Sequence, residues 1–100
     1  MRRIKLTVAY DGTNYCGWQI QPNGITIEEV LNQKLSKLTG EEIHVIGASR
    51  TDSGVHALGN IAVFDTNSTI PPGRFACAVN QKLPEDIVVI HSEEVPQGWH

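Results

Sequence analysis

The stretch that decides the fold is residues 26–40, TIEEVLNQKLSKLTG. Thr26 followed by Glu29 is a capping box, in which each side chain binds a backbone N–H that the first helical turn leaves unpaired. Gly40 is typical of the position just after the end of a helix. Between them, apolar residues recur at helical spacing: Ile27, Val30, Leu31, Leu35 and Leu38. This spacing predicts an amphipathic helix with one buried face.

Four strand patterns surround this helix. Residues 3–11 alternate in polarity, which predicts a strand with one buried face. Residues 42–49 predict a second strand and residues 58–66 a third. The third strand is apolar on both faces, which is expected of a strand in the middle of a sheet. Residues 87–90, IVVI, predict the fourth.

A second helix is predicted between the third and fourth strands. It begins at Pro71, since proline is tolerated in the first helical turn, and it ends near Leu83, before Pro84. The element order is therefore βαββαβ, the split-βαβ or ferredoxin-like arrangement. It predicts an α+β fold in one domain of residues 1–100, with a four-stranded antiparallel sheet and both helices on one of its faces.

Composition favours an ordinary globular protein. Hydrophobic residues make up 40% of the 100 residues and charged residues 19%, and the net charge is -3. A free-standing nucleic-acid-binding domain is usually basic over its binding face, so the charge counts mildly against one. No apolar run has the length of a membrane span, and no signal-peptide pattern follows Met1. A cytoplasmic protein that contacts no membrane is expected.

Residue types that bind metals are scattered along the chain. Cys16 and Cys77 have neither metal-ligand spacing nor the pattern of a disulfide framework, so two free thiols are expected. A zinc site needs about four clustered ligands, and the histidines do not cluster: His44, His56, His91 and His100. The sequence predicts no metal site, and each histidine is expected to be structural or solvated.

Residues 49–56, SRTDSGVH, join the second and third strands and contain the main candidate for chemistry. Gly54 suits a tight turn that presents a side chain outward. Asp52 beside Arg50 is a carboxylate that stays ionised and is held in place, and such a group can act as a nucleophile, a base or an electrostatic stabiliser. The alternative is an ordinary Asp-Ser-Gly turn with a weak surface ion pair, and local chemistry alone favours that alternative.

A long loop follows the first strand. Residues 12–24, GTNYCGWQIQPNG, are rich in glycine, proline and asparagine, and loops of this length are often functional. Tyr15 and Trp18 either stack on nucleic-acid bases or attach the loop to the core. Tyr10 is expected in the core because it continues the buried face of the first strand.

Two motifs resemble those of the TruA-type tRNA pseudouridine synthases. Residues 10–21, YDGTNYCGWQIQ, are similar to the family's YDG-x-x-Y-x-GWQ-x-Q, and residues 50–56, RTDSGVH, are similar to its RTD-x-GVH. Ser49 stands where the family usually has glycine, and Ser53 where it often has alanine or lysine. Neither departure removes a reactive group.

The resemblance implies that Asp52 is the catalytic nucleophile of an enzyme that isomerises uridine to pseudouridine in the anticodon stem-loop of tRNA. It implies no cofactor and no metal, and it leaves open whether the carboxylate attacks the uracil ring or the ribose C1′. Other residues are implied to support the active site or to contact RNA: Arg50, Thr51, Gly54, His56, Tyr15, Trp18, Gln19 and Gln21.

Members of this family continue beyond the equivalent of residue 100 into a second, similar half, and the full-length protein is expected to be a homodimer. The resemblance therefore implies that residues 1–100 are the N-terminal half and are inactive alone. The alternative is an RRM-type RNA-binding module without catalysis, although residues 59–64, GNIAVF, lack the RNP1 pattern. A small-molecule regulatory domain on the same fold leaves residues 50–56 unexplained.

Overall fold

The computed structural model describes residues 1–18, 24–47 and 57–99, together with their side chains except those of residues 57 and 58. Its helices and strands follow one another in this order: β1 Arg2–Tyr10, a short 3-10 turn Gly12–Asn14, α1 Ile27–Thr39, β2 Ile46–Gly47, β3 Ala57–Thr66, a second 3-10 turn Pro72–Arg74, α2 Phe75–Asn80 and β4 Ile87–Val95.

The four strands form one antiparallel sheet in the order β2-β3-β1-β4. Buried residues of α1 and α2 share a single core with the inward-facing residues of the sheet. Leu31 of α1 and Phe75 of α2 are both fully buried there, as is Leu6 of β1. The α+β ferredoxin-like fold predicted from the sequence is therefore confirmed.

Helix α1 begins and ends where its sequence predicts. The Thr26 hydroxyl accepts a hydrogen bond from the Glu29 backbone N–H at 3.3 Å. Gly40 has the left-handed φ of 75° and donates its N–H to the Ser36 carbonyl at 2.9 Å, which suits the residue without a Cβ atom. Both caps are thus supplied by residues at the ends of the helix, while the first-turn N–H groups of Ile27 and Glu28 donate to the carbonyls of Gly17 and Trp18 in the preceding loop.

The prediction for the second strand is wrong over residues 42–45, and β2 comprises only Ile46–Gly47 among the described residues. The cause lies in α1. The Ser36 hydroxyl accepts the Ile43 N–H at 2.9 Å, and the Asn32 side-chain oxygen accepts the Val45 N–H at 2.8 Å. These backbone donors therefore bind the helix instead of a neighbouring strand. Residues 48 and 49 lie outside the described part.

Helix α2 is shorter than predicted. A 3-10 turn occupies Pro72–Arg74, and the α-helix covers only Phe75–Asn80. The residue before a proline is disfavoured in helical conformation, so the chain leaves the helix ahead of Pro84. The Asn80 side chain then binds both backbone groups of Val89, at 2.8 and 2.9 Å, and ties the helix end to β4.

Strand β4 is longer than predicted and continues to Val95. Its pairing with β1 shifts register between Thr7, opposite His91, and Val8, opposite Val89. Ile90 is thus an extra residue, a β-bulge that interrupts the alternation. Beyond it the polar Ser92 is 2% exposed, and its hydroxyl donates to the Pro72 carbonyl at 2.7 Å.

The sheet face away from the helices is partly covered by the chain itself. Lys5 lies 5.3 Å from the centre of the Trp99 ring, and Arg3 donates to the Trp99 carbonyl at 2.8 Å. Arg3 also binds both carboxylate oxygens of Asp65, at 2.9 and 3.0 Å, and this bond lowers the pKa of Asp65. Near the sheet edges, Ile46 and Ile90 remain exposed.

Candidate active site

Tyr15 and Trp18 are the candidate site residues that the structure describes. The other candidates fall within residues 19–23 and 48–56, outside the described part: Gln19, Gln21, Arg50, Thr51, Asp52, Gly54 and His56. The described residues that precede and follow those two segments form the known surroundings of the site.

Residues 48–56 are preceded by β2 and followed by β3. Gly47 pairs with Ala62, and Ala57 pairs with Tyr10, the last residue of β1. Between Val8, opposite Asn60, and Tyr10 the register shifts by one extra residue of β3. Such bulges often occur next to active sites, where they redirect side chains. The segment with Asp52 is thus joined to β3 beside the end of β1.

Residues 19–23 are preceded and followed by chain segments that lie side by side. The Cys16 N–H donates to the Ile25 carbonyl at 2.8 Å, and the Glu28 N–H donates to the Trp18 carbonyl at 3.0 Å. Gly17 has a φ of 88°, which glycine adopts without steric cost. Backbone hydrogen bonds to α1 and to the residues before it therefore hold the chain up to Trp18.

Trp18 is buried, with 1% of its surface exposed. Its indole lies so close to Gly47 that a Cβ atom there would be 2.3 Å from Nε1. The Tyr10 ring lies 6.0 Å from the indole between centroids and is inclined to it by 35°. Tyr10 is itself 5% exposed, which confirms its expected place in the core. Of the two interpretations of Trp18, this geometry favours attachment of the loop to the core.

Tyr15 joins the same loop to the start of β4. Its hydroxyl donates to a carboxylate oxygen of Asp86 at 2.6 Å, and the Asn14 side chain donates to the other oxygen at 3.3 Å. The Asp86 carbonyl accepts the Asp11 N–H at 2.9 Å. Burial, together with the bond to Asp86, raises the pKa of Tyr15. Asp86 was not identified as its partner from the sequence, because seventy-one residues separate the two.

Tyr15→Phe is expected to lower the free energy of unfolding by about 1.5–3 kcal/mol at neutral pH, the usual range for a hydrogen bond to a charged group. Because the pKa of Tyr15 is raised in the folded state, the stabilisation is complete at neutral pH and declines as pH rises above about 10, where the unfolded phenol ionises. The difference between wild type and variant should therefore shrink in alkaline solution. Urea unfolding at several pH values measures it, and a difference that grows with pH would contradict the assignment.

Asn60 is a further buried polar residue at this end of the sheet. It is 6% exposed, and its side-chain nitrogen donates to the Tyr10 hydroxyl at 3.4 Å. In the sequence, Asn60 falls within the predicted third strand and had no assigned role. The only feature of the sequence that marks Asn60 is that a polar residue interrupts an apolar strand, and this pattern does not identify a hydrogen-bond partner.

The sheet face opposite the helices does not have the features of an RRM. Such domains stack bases on aromatic side chains of the central strands. Here the outward residues of the central strands are aliphatic or polar, among them Lys5 and Thr7 of β1 and Ile61 of β3. The rings of these strands, Tyr10 and Phe64, are buried in the core. This arrangement counts against the RRM alternative.

Two further features concern only the part of the chain that the structure describes. Within it, no three His, Cys, Asp or Glu side chains are grouped so that they could hold a metal ion. None of the helices in that part is both long and apolar enough to cross a membrane.

Comparison with known proteins gives a consistent result. Residues 6–100 match a family model described as tRNA pseudouridine synthase. The chain is 57% identical to tRNA pseudouridine synthase A of Ruminiclostridium cellulolyticum. It is 55% identical to tRNA pseudouridine synthase A 2 of Clostridium perfringens and 53% identical to tRNA pseudouridine synthase A of Clostridium acetobutylicum. Each alignment covers 100% of this chain but 41% of the relative, so the chain spans less than half the length of these curated relatives.

Proposed function

Because this chain belongs to the tRNA pseudouridine synthase family, we propose that it is the part of such an enzyme that carries the catalytic carboxylate. The observation that carries the proposal is the family match over residues 6–100, which includes the motif at residues 50–56. The described geometry is compatible with it, since β3 begins directly after this motif, beside the end of β1.

Asp52 is the proposed nucleophile. In the isomerisation the N1–C1′ bond of uridine breaks, the uracil turns, C5 bonds to C1′, the proton of C5 is released, and N1 takes up a proton. The carboxylate forms a transient bond either to the uracil ring or to C1′, and that bond breaks before the product leaves. Arg50 keeps the carboxylate ionised and positioned, as a neighbouring guanidinium does. The detached uracil must stay close enough to recombine, and no cofactor is required.

The proposed substrate is the anticodon stem-loop of tRNA, whose target base must leave its stack before a side chain reaches it. Gln19 and Gln21, with Thr51, Gly54 and His56, are proposed to contact the RNA or support the active site. Tyr15 and Trp18 support the site differently, because both are buried and offer little ring surface for stacking. We assign them to holding the loop in place.

The remaining part of the cleft is proposed to come from outside these 100 residues, which cover 41% of the length of the relatives. The 100-residue chain alone is therefore expected to have no turnover. The full-length protein is proposed to act as a homodimer in the cytoplasm.

The test is pseudouridine formation in an unmodified tRNA transcript, measured by tritium release from uridine labelled at C5. Full-length protein is expected to release tritium from the anticodon stem-loop, and the 100-residue chain is expected to release none. The control is a transcript in which the uridines of that stem-loop are replaced by cytidine. No release by the full-length protein contradicts the proposed activity, whereas release from the control transcript contradicts only the proposed location.

A further inference from the structure

Gly47 occupies a place where any larger residue would displace the Trp18 indole or the Gly47 backbone. A Cβ atom there would lie 2.3 Å from Nε1 and 2.7 Å from Cε2 of Trp18. Gly47 is not among the glycines with positive φ in the described residues, so the backbone conformation does not call for glycine. Glycine is required at residue 47 because the indole approaches the backbone closely. Since Trp18 is 1% exposed, the ring has little room to move away.

Tyr10 packs beside the same indole. Its ring centroid is 6.0 Å from that of Trp18, and its backbone pairs with Ala57. Gly47 is the last described residue before residues 48–56, and Ala57 is the first after them. Trp18 thus contacts the residue immediately before the segment that holds Asp52, and Tyr10 pairs with the residue immediately after that segment.

Trp18 also belongs to the other motif. It is the last described residue before residues 19–23, and its carbonyl is held by the Glu28 N–H at 3.0 Å. The Tyr10–Trp18 pair therefore connects the loop of the first motif with both neighbours of the second.

We propose that the Tyr10–Trp18 pair, packed on Gly47, positions the segment that carries Asp52 relative to the loop that carries Gln19 and Gln21. Tyr10, Trp18 and Gly47 are positioning residues, since they act through the segments they hold. This inference rests on the proposed function. Its consequence is that enlarging residue 47 reduces catalysis by moving the indole, while the charge and chemistry of the site stay unchanged.

The test measures kcat and the Kd for tRNA in the full-length protein that contains this chain. Gly47→Ala is expected to lower kcat by about tenfold to a hundredfold, the scale of a small misplacement of a catalytic group, with Kd changed by less than about threefold. A purely structural role would lower the active fraction and leave the kcat of the folded enzyme unchanged. Active-site titration and a thermal melt of each variant separate these two cases.

Gly73→Ala is the matched control. It is the same chemical change at a glycine where a new Cβ atom meets nothing within 4 Å. Gly73 lies in the 3-10 turn before α2, away from both motifs in the sequence. Its kcat and Kd are expected to equal those of the wild type.

Making Gly47→Ala in a protein that already carries Trp18→Leu shows whether the effect of Gly47→Ala on kcat acts through the indole. Trp18→Leu removes Nε1, Cε2 and Cζ2, the atoms that the new Cβ would meet, and it is expected to lower kcat by itself. In that background, adding Gly47→Ala is expected to change kcat by less than about twofold, because neighbouring substitutions that share one contact are not additive. If Gly47→Ala alone does not fold, the kcat of the Trp18→Leu protein alone tests the inference, and a wild-type kcat in that protein overturns it.

Wild-type kcat in Gly47→Ala overturns the inference. So does a loss of kcat from Gly47→Ala that is equally large with and without the Trp18→Leu substitution. In both cases the wild-type enzyme still forms pseudouridine and the proposed function stands. If the wild-type protein forms no pseudouridine, the proposed function fails and this inference fails with it.

Discussion

Asp52→Asn is expected to lower the kcat of the full-length protein for pseudouridine formation by about 10³-fold or more, as removal of a nucleophile does in other enzymes. Asparagine keeps the shape of the side chain and removes the negative charge and the nucleophilic oxygen. The Kd for tRNA is expected to change little, because binding uses many other contacts. Tritium release under single-turnover conditions measures the loss directly.

Asp65→Asn is the matched control for this experiment. Asp65 is the same residue type and pairs with Arg3 at the far end of β1 from Tyr10. Loss of this pair is expected to affect stability modestly and to leave kcat within about threefold of the wild type. If Asp52→Asn keeps more than a tenth of the wild-type kcat, another group is the nucleophile.

Phe75→Ala is expected to have the largest effect on stability, lowering the free energy of unfolding by about 3–5 kcal/mol. Phe75 is fully buried at the start of α2 and meets Phe64 of β3 edge to face, with ring centroids 5.4 Å apart at 80°. The substitution removes this aromatic contact and leaves a cavity between helix and sheet. Equilibrium urea unfolding measures the change, with one value of m, the slope of the free energy of unfolding against urea concentration, fitted to wild type and variant.

Cys77→Ala provides a control on the same helix, since Cys77 is exposed. It is expected to change the free energy of unfolding by less than about 0.5 kcal/mol, as surface substitutions usually do. A loss below about 1 kcal/mol for Phe75→Ala would mean that the core closes over the missing ring. In that case α2 contributes less to the core than its burial indicates.

The elements that the sequence predicted well are those whose causes are local. The hydroxyl of Thr26 and the left-handed Gly40 determine the ends of α1 within a few residues of chain. The element order also follows from local patterns, and in small proteins it restricts the topology strongly. The predictions failed where a distant side chain intervened, as Asn32 does when it binds the backbone of Val45.

In the candidate site, too, the features with local causes were predicted from the sequence and the long-range contacts were not. Each of the two motifs, at residues 10–21 and at residues 50–56, is an unbroken stretch of sequence. The sequence alone therefore identified the family resemblance and the candidate carboxylate. The bond from Tyr15 to Asp86 joins residues seventy-one apart, and no local pattern encodes it. The same holds for Asn60 and the hydroxyl of Tyr10.

By itself, the sequence determined the helix of residues 26–40, the βαββαβ order and the identity of the candidate nucleophile, Asp52. Only the tertiary structure decided that Trp18 packs on Gly47 and beside Tyr10. The physical reason is that capping, periodicity and contiguous motifs depend on neighbours along the chain, whereas steric fit depends on neighbours in space. A glycine needed for close approach is indistinguishable in sequence from one needed for a turn, until the fold brings the indole against it.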